Sequence, residues 1–115
     1  MAEKDTSNIE LAYISGAITN GPGNYGKESF EAMAGILEKL KIRYINPRAR
    51  QLPAGITKKS INRAMFKRSV IDLFDCDAII MLDNWETSTG ATIEKTIAEY
   101  LSIPVYYEYE FCHLA

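Results

Sequence analysis

The feature that most constrains the fold of this chain is a regular alternation of short apolar runs with longer amphipathic stretches. Such an alternation predicts βαβ units, in which helices cover both faces of a parallel sheet. The short runs are apolar on both sides, as strands buried between two helical layers are. The predicted strands are 11–15, 42–46, 78–82 and 103–107, and the predicted helices are 27–40, 58–74 and 90–101.

The order of the strands follows from the handedness of their connections. Crossovers between parallel strands are right-handed in nearly all proteins, and with this element count the rule predicts the order 2-1-3-4. The loops after strands one and three then meet at a topological switch point, where open α/β sheets bind ligands. We therefore expect an α/β, Rossmann-like or flavodoxin-like three-layer fold with a parallel sheet of four to five strands.

Helical periodicity predicts which side of each helix is buried. The predicted buried residues are Phe30, Met33, Ala34, Leu37 and Leu40 in the first helix, Phe66, Val70, Leu73 and Phe74 in the second, and Ile97, Ala98 and Leu101 in the third.

Length and charge limit the domain organisation and the classes of partner. The 115 residues fit one domain, and we expect a flexible tail at 1–9 and a single domain at 10–115. The net charge of −2 provides no bulk field toward polymeric nucleic acid or an anionic membrane. No apolar run approaches the roughly 20 residues of a membrane span, and the polar start of the chain is unlike a secretory leader. We expect a cytoplasmic protein.

The cysteines and the histidine argue against a metal centre. Cys76 and Cys112 are too far apart in sequence for a metal-binding motif or a disulfide framework, and reduced thiols are expected. The only histidine, His113, is the third residue from the end, where a metal site or a histidine-dependent hydrolase would be hard to build. We expect neither a metal nor a cofactor.

Two loops at the predicted switch point carry unusual residues. Ser15 and Gly16 end the first strand, where glycine permits either a plain turn or close approach to a ligand. The second loop, 83–90, leads directly into the third helix, and its Ser88 is either a helix cap or part of an anion site. Trp85 in this loop either stacks on a base or covers the core.

Glu94 is the most informative single residue. Ile97, Ala98 and Leu101 follow it at helical spacing, so Glu94 lies on the predicted buried side of its own helix. A buried carboxylate costs free energy unless a partner or a ligand uses it. Glu94 is therefore either functional or a glutamate at the edge of the stripe that reaches water.

These motifs together resemble a known family. The segments Tyr13-Ile-Ser-Gly16, Cys76-Asp-Ala-Ile-Ile80 and Trp85-x-x-Ser88-x-Gly90-Ala-x-x-Glu94 are similar to those of the nucleoside 2-deoxyribosyltransferase superfamily. The likeness is strongest to its small phage and bacterial members and to deoxynucleoside 5′-monophosphate N-glycosidases. It covers about residues 10–107 and implies a homo-oligomer, in the host cytoplasm if the chain is phage-encoded.

The resemblance also implies roles for individual residues. It makes Glu94 the nucleophile that attacks C1′ of the sugar, makes Tyr13 the residue that orients it, and lets Ser88 and Gly90 hold a 5′-phosphate. The expected binding residues are Ser15, Gly16, Asn84, Trp85, Ser88 and Gly90.

The chain departs from the family at one position. Ser69 stands where the family usually has an aspartate. Asp72, one helix turn further, is either a replacement catalytic carboxylate or an ordinary surface charge.

Three hypotheses remain open at the level of sequence. The first is an enzyme that cleaves or transfers at the N-glycosidic bond of a nucleoside or its 5′-monophosphate. The second is a nucleotide-binding sensor or sequestering protein that lacks the full catalytic set. The third is a purely structural α/β adaptor. Tyr13 with Glu94 favours the first, and Ser69 favours the second.

Overall fold

The centre of the molecule is a four-stranded parallel sheet. The computed structural model describes residues 6–17, 27–47, 58–112 and 114. The sheet order is β2-β1-β3-β4 with every pairing parallel, which confirms the predicted order. The strands are β1 (Leu11–Ser15), β2 (Arg43–Ile45), β3 (Ala78–Met81) and β4 (Val105–Tyr107).

Helices cover both faces of the sheet. They are α1 (Lys27–Lys39), α2 (Lys58–Asp75) and α3 (Thr89–Tyr100), each within one residue of its predicted bounds. Helix α1 packs on one face, while α2 and α3 pack side by side on the other, so the three-layer α/β prediction is confirmed. No helix in the described ranges is long and apolar enough to cross a membrane.

Strands β2 and β4 begin later than predicted because the helix before each one ends in the same way. Lys41 (φ 61°) and Ser102 (φ 59°) adopt the left-handed conformation just after α1 and α3. The next amides, of Ile42 and Ile103, donate back to the carbonyls of Leu37 and Ala98. This is the Schellman arrangement, which uses those amides to close a helix and leaves them unavailable to a strand.

The core lies on both faces of the sheet. Side chains of alternate β1 residues point to opposite faces, so Ala12 and Ile14 pack beneath α1 while Tyr13 packs beneath α2 and α3. Ile9, which falls within the expected tail 1–9, is buried in the α1 core. Residues 1–5 of that tail and His113 lie outside the described residues.

The predicted buried side of α2 is partly wrong. Leu73 is fully buried, as predicted, but Phe74 was expected in the core and is 66% exposed, while Ser69 and Asp72 are buried. Apolar periodicity misplaced Phe74 because the buried side of this helix also carries polar residues that hydrogen bonds and an ion pair compensate. The buried face of α2 thus combines Leu73 with the polar residues Ser69 and Asp72.

Candidate functional site

The loops after β1 and β3 are joined at the carboxyl edge of the sheet. The Leu82 amide donates to the Ser15 carbonyl oxygen at 2.8 Å, and the Ala17 amide donates to Asn84 Oδ1 at 3.1 Å. The two loops therefore meet at the predicted switch point. Asn84, expected to bind substrate, serves here to hold the first loop against the second.

Gly16 is required by packing inside the protein. A Cβ atom at this position would lie 2.8 Å from Leu82 Cδ1, 2.9 Å from Leu82 Cβ and 3.1 Å from Asn84 Oδ1. Carbon atoms do not approach so closely without displacement, so a side chain here would push the two loops apart. The glycine thus has an internal explanation that the sequence did not reveal.

Glu94 is buried and hydrogen-bonded through both carboxylate oxygens. It is 8% exposed on the inner face of α3, which confirms the burial predicted from its spacing. Ser15 Oγ donates to Oε1 at 2.7 Å, and Tyr13 Oη donates to Oε2 at 2.8 Å. Tyr13 and Ser15 reach the same carboxylate because they are two residues apart on one strand and share a face.

The network extends from Tyr13 to α2. Ser69 Oγ lies 2.6 Å from Tyr13 Oη, and both groups are buried. A phenol has a single proton, so while that proton is donated to ionised Glu94 the Ser69 hydroxyl is the donor to Tyr13. Three elements, β1, α2 and α3, thereby fix the orientation of one carboxylate. Sequence reasoning singled out Ser69 only as a departure and missed this contact.

The surroundings of Glu94 leave its charge unneutralised within the described part of the chain. Its partners there are hydroxyl groups, and it forms no ion pair with a described lysine or arginine. An ionised carboxylate offers about four acceptor positions, of which these hydroxyls use two. The arrangement orients a carboxylate and keeps acceptor capacity for a bound molecule.

The amino terminus of α3 lies at the same edge. Ser88 Oγ accepts a hydrogen bond from the Ala91 amide at 3.1 Å, which confirms that Ser88 caps the helix. Unlike Gly16, Gly90 has room for a side chain, since its Cβ would meet only Ser88 Oγ, at 3.8 Å. The amides of Thr89 and Gly90 have no acceptor among the described residues, as is usual in a first helical turn.

Trp85 lies on the β4 side of this edge. Its half-buried ring packs on Tyr107, with centroids 6.4 Å apart, and Lys95 Nζ lies 5.3 Å from its centroid. It also packs against the core beneath α2 and α3. The described contacts of Trp85 thus fit a residue that covers the core, and they do not include Glu94.

Asp72 is a buried, paired carboxylate. It is 5% exposed, and its Oδ1 lies 3.3 Å from Arg68 Nε. Burial, followed by the negative charges of Asp72, Asp77 and Asp75, raises the pKa of the Cys76 thiol to about 12. Asp72 is therefore not an ordinary surface charge.

No three potential metal ligands of the His, Cys, Asp and Glu types cluster in the described residues.

Comparison with known proteins gives one family match. A family model described as a domain of unknown function, DUF4406, matches residues 10–107. No curated protein matches the chain. The matched span contains all four strands and every member of the network around Glu94.

Proposed function

The chain belongs to the DUF4406 family of domains of unknown function, and from that starting point we propose that it cleaves or transfers at the N-glycosidic bond of a nucleoside or nucleoside 5′-monophosphate. The observation that carries the proposal is the Glu94 carboxylate, buried at the carboxyl edge of the sheet and held on both oxygens by Ser15 and Tyr13. The resemblance to nucleoside 2-deoxyribosyltransferases assigns the nucleophile to the same position.

In the proposed reaction Glu94 attacks C1′ of the sugar. One carboxylate oxygen forms a bond to C1′ while the C1′–N bond breaks, and the base leaves with the electron pair of that bond. The transition state has oxocarbenium character, which a nearby carboxylate stabilises, as in retaining glycosidases. Water or a second base then attacks C1′ of the glycosyl ester and restores the carboxylate. The departing base takes its proton from solvent or from a donor in the site.

Tyr13 and Ser15 act as positioning residues in this scheme. A nucleophile gains rate when it is held in the geometry of attack, and two hydroxyl donors from one rigid strand supply that restraint. Their hydrogen bonds hold both carboxylate oxygens of Glu94, and no described lysine or arginine pairs with it. The strand thereby orients the carboxylate before the substrate arrives.

The start of α3 is suited to a 5′-phosphate. The amides of Thr89 and Gly90 and the helix dipole favour an anion there, and Gly90 leaves space beside Ser88 Oγ. Gly90→Ala should keep or improve the stability of α3, because alanine is the better helix former. It should weaken binding of a monophosphate, measured by calorimetry, and leave binding of the matching nucleoside unchanged. Equal loss for both ligands would contradict the phosphate assignment.

The reaction is tested by release of free base from a panel of nucleosides and 5′-monophosphates. Glu94→Gln keeps the shape of the side chain and removes the nucleophile, so turnover should fall by several orders of magnitude while monophosphate binding survives. Glu99→Gln is the matched control, since Glu99 lies on the same helix in an exposed pair with Lys95. An active wild type whose activity survives Glu94→Gln would refute the mechanism.

A nucleotide-binding protein without turnover is the second candidate, and Ser69 favours it. The position that usually carries an aspartate in the resembled family holds a serine here, committed to Tyr13. In that case the wild type would bind a monophosphate and release no base from any substrate. Glu94→Ala would then change affinity alone. The same panel and the same calorimetry therefore separate a sensor or sequestering protein from an enzyme.

We also propose that the chain forms a homo-oligomer. Tyr106 and Phe111 of the aromatic C-terminal segment pack in the core, whereas Tyr109 of the same segment is exposed. Further large apolar side chains are exposed on α2 and α3, namely Ile71, Phe74, Ile93 and Tyr100. Light scattering at micromolar concentration should show at least a dimer, and a monomer would contradict the proposal.

A further inference from the structure

A cleft opens on the β4 side of the carboxyl edge of the sheet. It has a volume of about 290 Å³ and lies at the carboxyl ends of β3 and β4. Met81 of β3 pairs with Ser15 of β1 on one side and with Tyr107 of β4 on the other. The cleft therefore lies on the β4 side of β3, whereas the hydroxyl groups that bind Glu94 belong to β1, on the other side. Its lining residues, which define the β3–β4 cleft, are Met81, Asp83, Trp85, Glu86, Tyr107 and Tyr109.

Aromatic rings form the walls of the β3–β4 cleft. Trp85 packs on Tyr107 at an interplanar angle of 46°, and Tyr107 stacks on Tyr109 with an angle of 6° and centroids 5.8 Å apart. Lys95 Nζ already lies 5.3 Å from the Trp85 centroid. The described contacts of this ring thus include a cation at the distance of a cation–π interaction.

The charge of the cleft is complementary to a cation. Asp83 and Glu86 line the cleft and are exposed. Glu108 lies next to Asp83, because Glu108 Oε1 accepts a hydrogen bond from the Asp83 amide at 3.3 Å. No lysine or arginine is among the described lining residues, and Lys95, which lies beside Trp85, is paired with Glu99. The carboxylates that line the cleft therefore favour a positively charged group.

We propose that the β3–β4 cleft binds a small organic cation with a guanidinium head group. A planar guanidinium stacks on aromatic faces and donates to carboxylates in a forked geometry, which matches rings beside Asp83 and Glu86. The volume lies at the lower end of ligand pockets and suits a head group with a short stem. The inference shares Trp85 with the binding residues that the resemblance implied, but it uses none of the residues that hold Glu94 and does not require the N-glycosidase reaction.

The chain carries its own reporter for this site. Trp85 is the only tryptophan, so tryptophan emission reports on the β3–β4 cleft directly. Titration with N-acetyl-arginine amide at low ionic strength should change this emission saturably. N-acetyl-citrulline amide has the same shape without the charge. Its affinity should be lower by at least about tenfold, because a charge-assisted hydrogen bond is lost.

Variants test whether the change in tryptophan emission comes from binding in the β3–β4 cleft. Asp83→Asn with Glu86→Gln should weaken binding of the arginine derivative about tenfold or more. Glu28→Gln is the matched carboxylate control, because Glu28 is exposed on α1, which covers the opposite face of the sheet. This variant should bind the arginine derivative with wild-type affinity. Tyr109→Leu removes a ring that is 67% exposed and should also weaken binding, which keeps the test valid if the double variant misfolds.

Two results would overturn the proposal. The first is an equal response to the arginine and citrulline derivatives, or no saturable response to either. The second is unchanged arginine affinity in variants whose circular dichroism shows the wild-type fold. Loss of base release in the Glu94 variants has no bearing on either result, so the two proposals fail separately.

Discussion

Replacing Tyr13 with phenylalanine removes one hydroxyl group from the centre of the buried network and leaves the ring in place. Two short hydrogen bonds are lost, 2.8 Å to Glu94 Oε2 and 2.6 Å to Ser69 Oγ. A bond to a charged group contributes about 1.5–3 kcal/mol and a neutral bond about 0.5–1.5 kcal/mol. The ring still fills its volume, so no cavity term is added. We expect the free energy of unfolding at neutral pH to fall by about 2–4 kcal/mol.

The chain offers a matched control at its surface. Tyr44 Oη donates to Glu38 Oε1 at 2.5 Å, a bond of the same chemical type, but this pair is exposed. That hydrogen bond, with smaller effects of desolvation and the Glu38 charge, raises the pKa of Tyr44. Tyr44→Phe should cost less than about 1 kcal/mol, because water replaces an exposed partner.

Urea unfolding followed by circular dichroism measures both variants. The dependence of the free energy on urea should stay unchanged, since neither substitution alters the surface exposed on unfolding. Combining Tyr13→Phe with Glu94→Gln in a double-mutant cycle should show a coupling of about 1–2 kcal/mol. If Tyr13→Phe costs no more than Tyr44→Phe, or the cycle shows no coupling, the network does not hold Glu94 as described.

Two further predictions concern glycines and thiols. Gly16→Ala should destabilise the protein by about 1–3 kcal/mol through overpacking, whereas Gly35→Ala, with no atom within 4 Å of its Cβ, should stabilise it by about 0.5–1 kcal/mol. Urea unfolding measures both, and a stabilising Gly16→Ala would refute the packing argument. In thiol labelling of the native protein at mildly alkaline pH, exposed Cys112 should react before buried Cys76, because burial raises the pKa of Cys76 to about 12 and only the thiolate reacts. Cys112→Ser should remove the fast phase, and a fast phase that persists would contradict the burial of Cys76.

Much of the fold could be predicted because its signals are local. The alternation of runs defines the elements, and the right-handed crossover rule then leaves one strand order. The later starts of β2 and β4 were not predicted, because Lys41 and Ser102 adopt a left-handed conformation that is uncommon for lysine and serine. Phe74 was misplaced because Ser69 and Asp72 share the buried side of α2 with Leu73, so apolar residues alone do not define that side.

The sequence by itself determined that Glu94 lies on the apolar stripe of its helix near the predicted switch point, and the structure then showed that the carboxylate is buried. Glu94 shares a helical stripe with Ala98, and that spacing holds in any fold that buries the stripe. The resemblance implied that Tyr13 orients this carboxylate, but only the tertiary structure decided that Ser15 also holds it and that Ser69 joins the network through Tyr13. The contacts of Tyr13 with Ser69 and Glu94 join positions 56 and 81 residues apart. Periodicity describes neighbours along one element, whereas such contacts depend on how three elements pack together, and no local pattern encodes that packing.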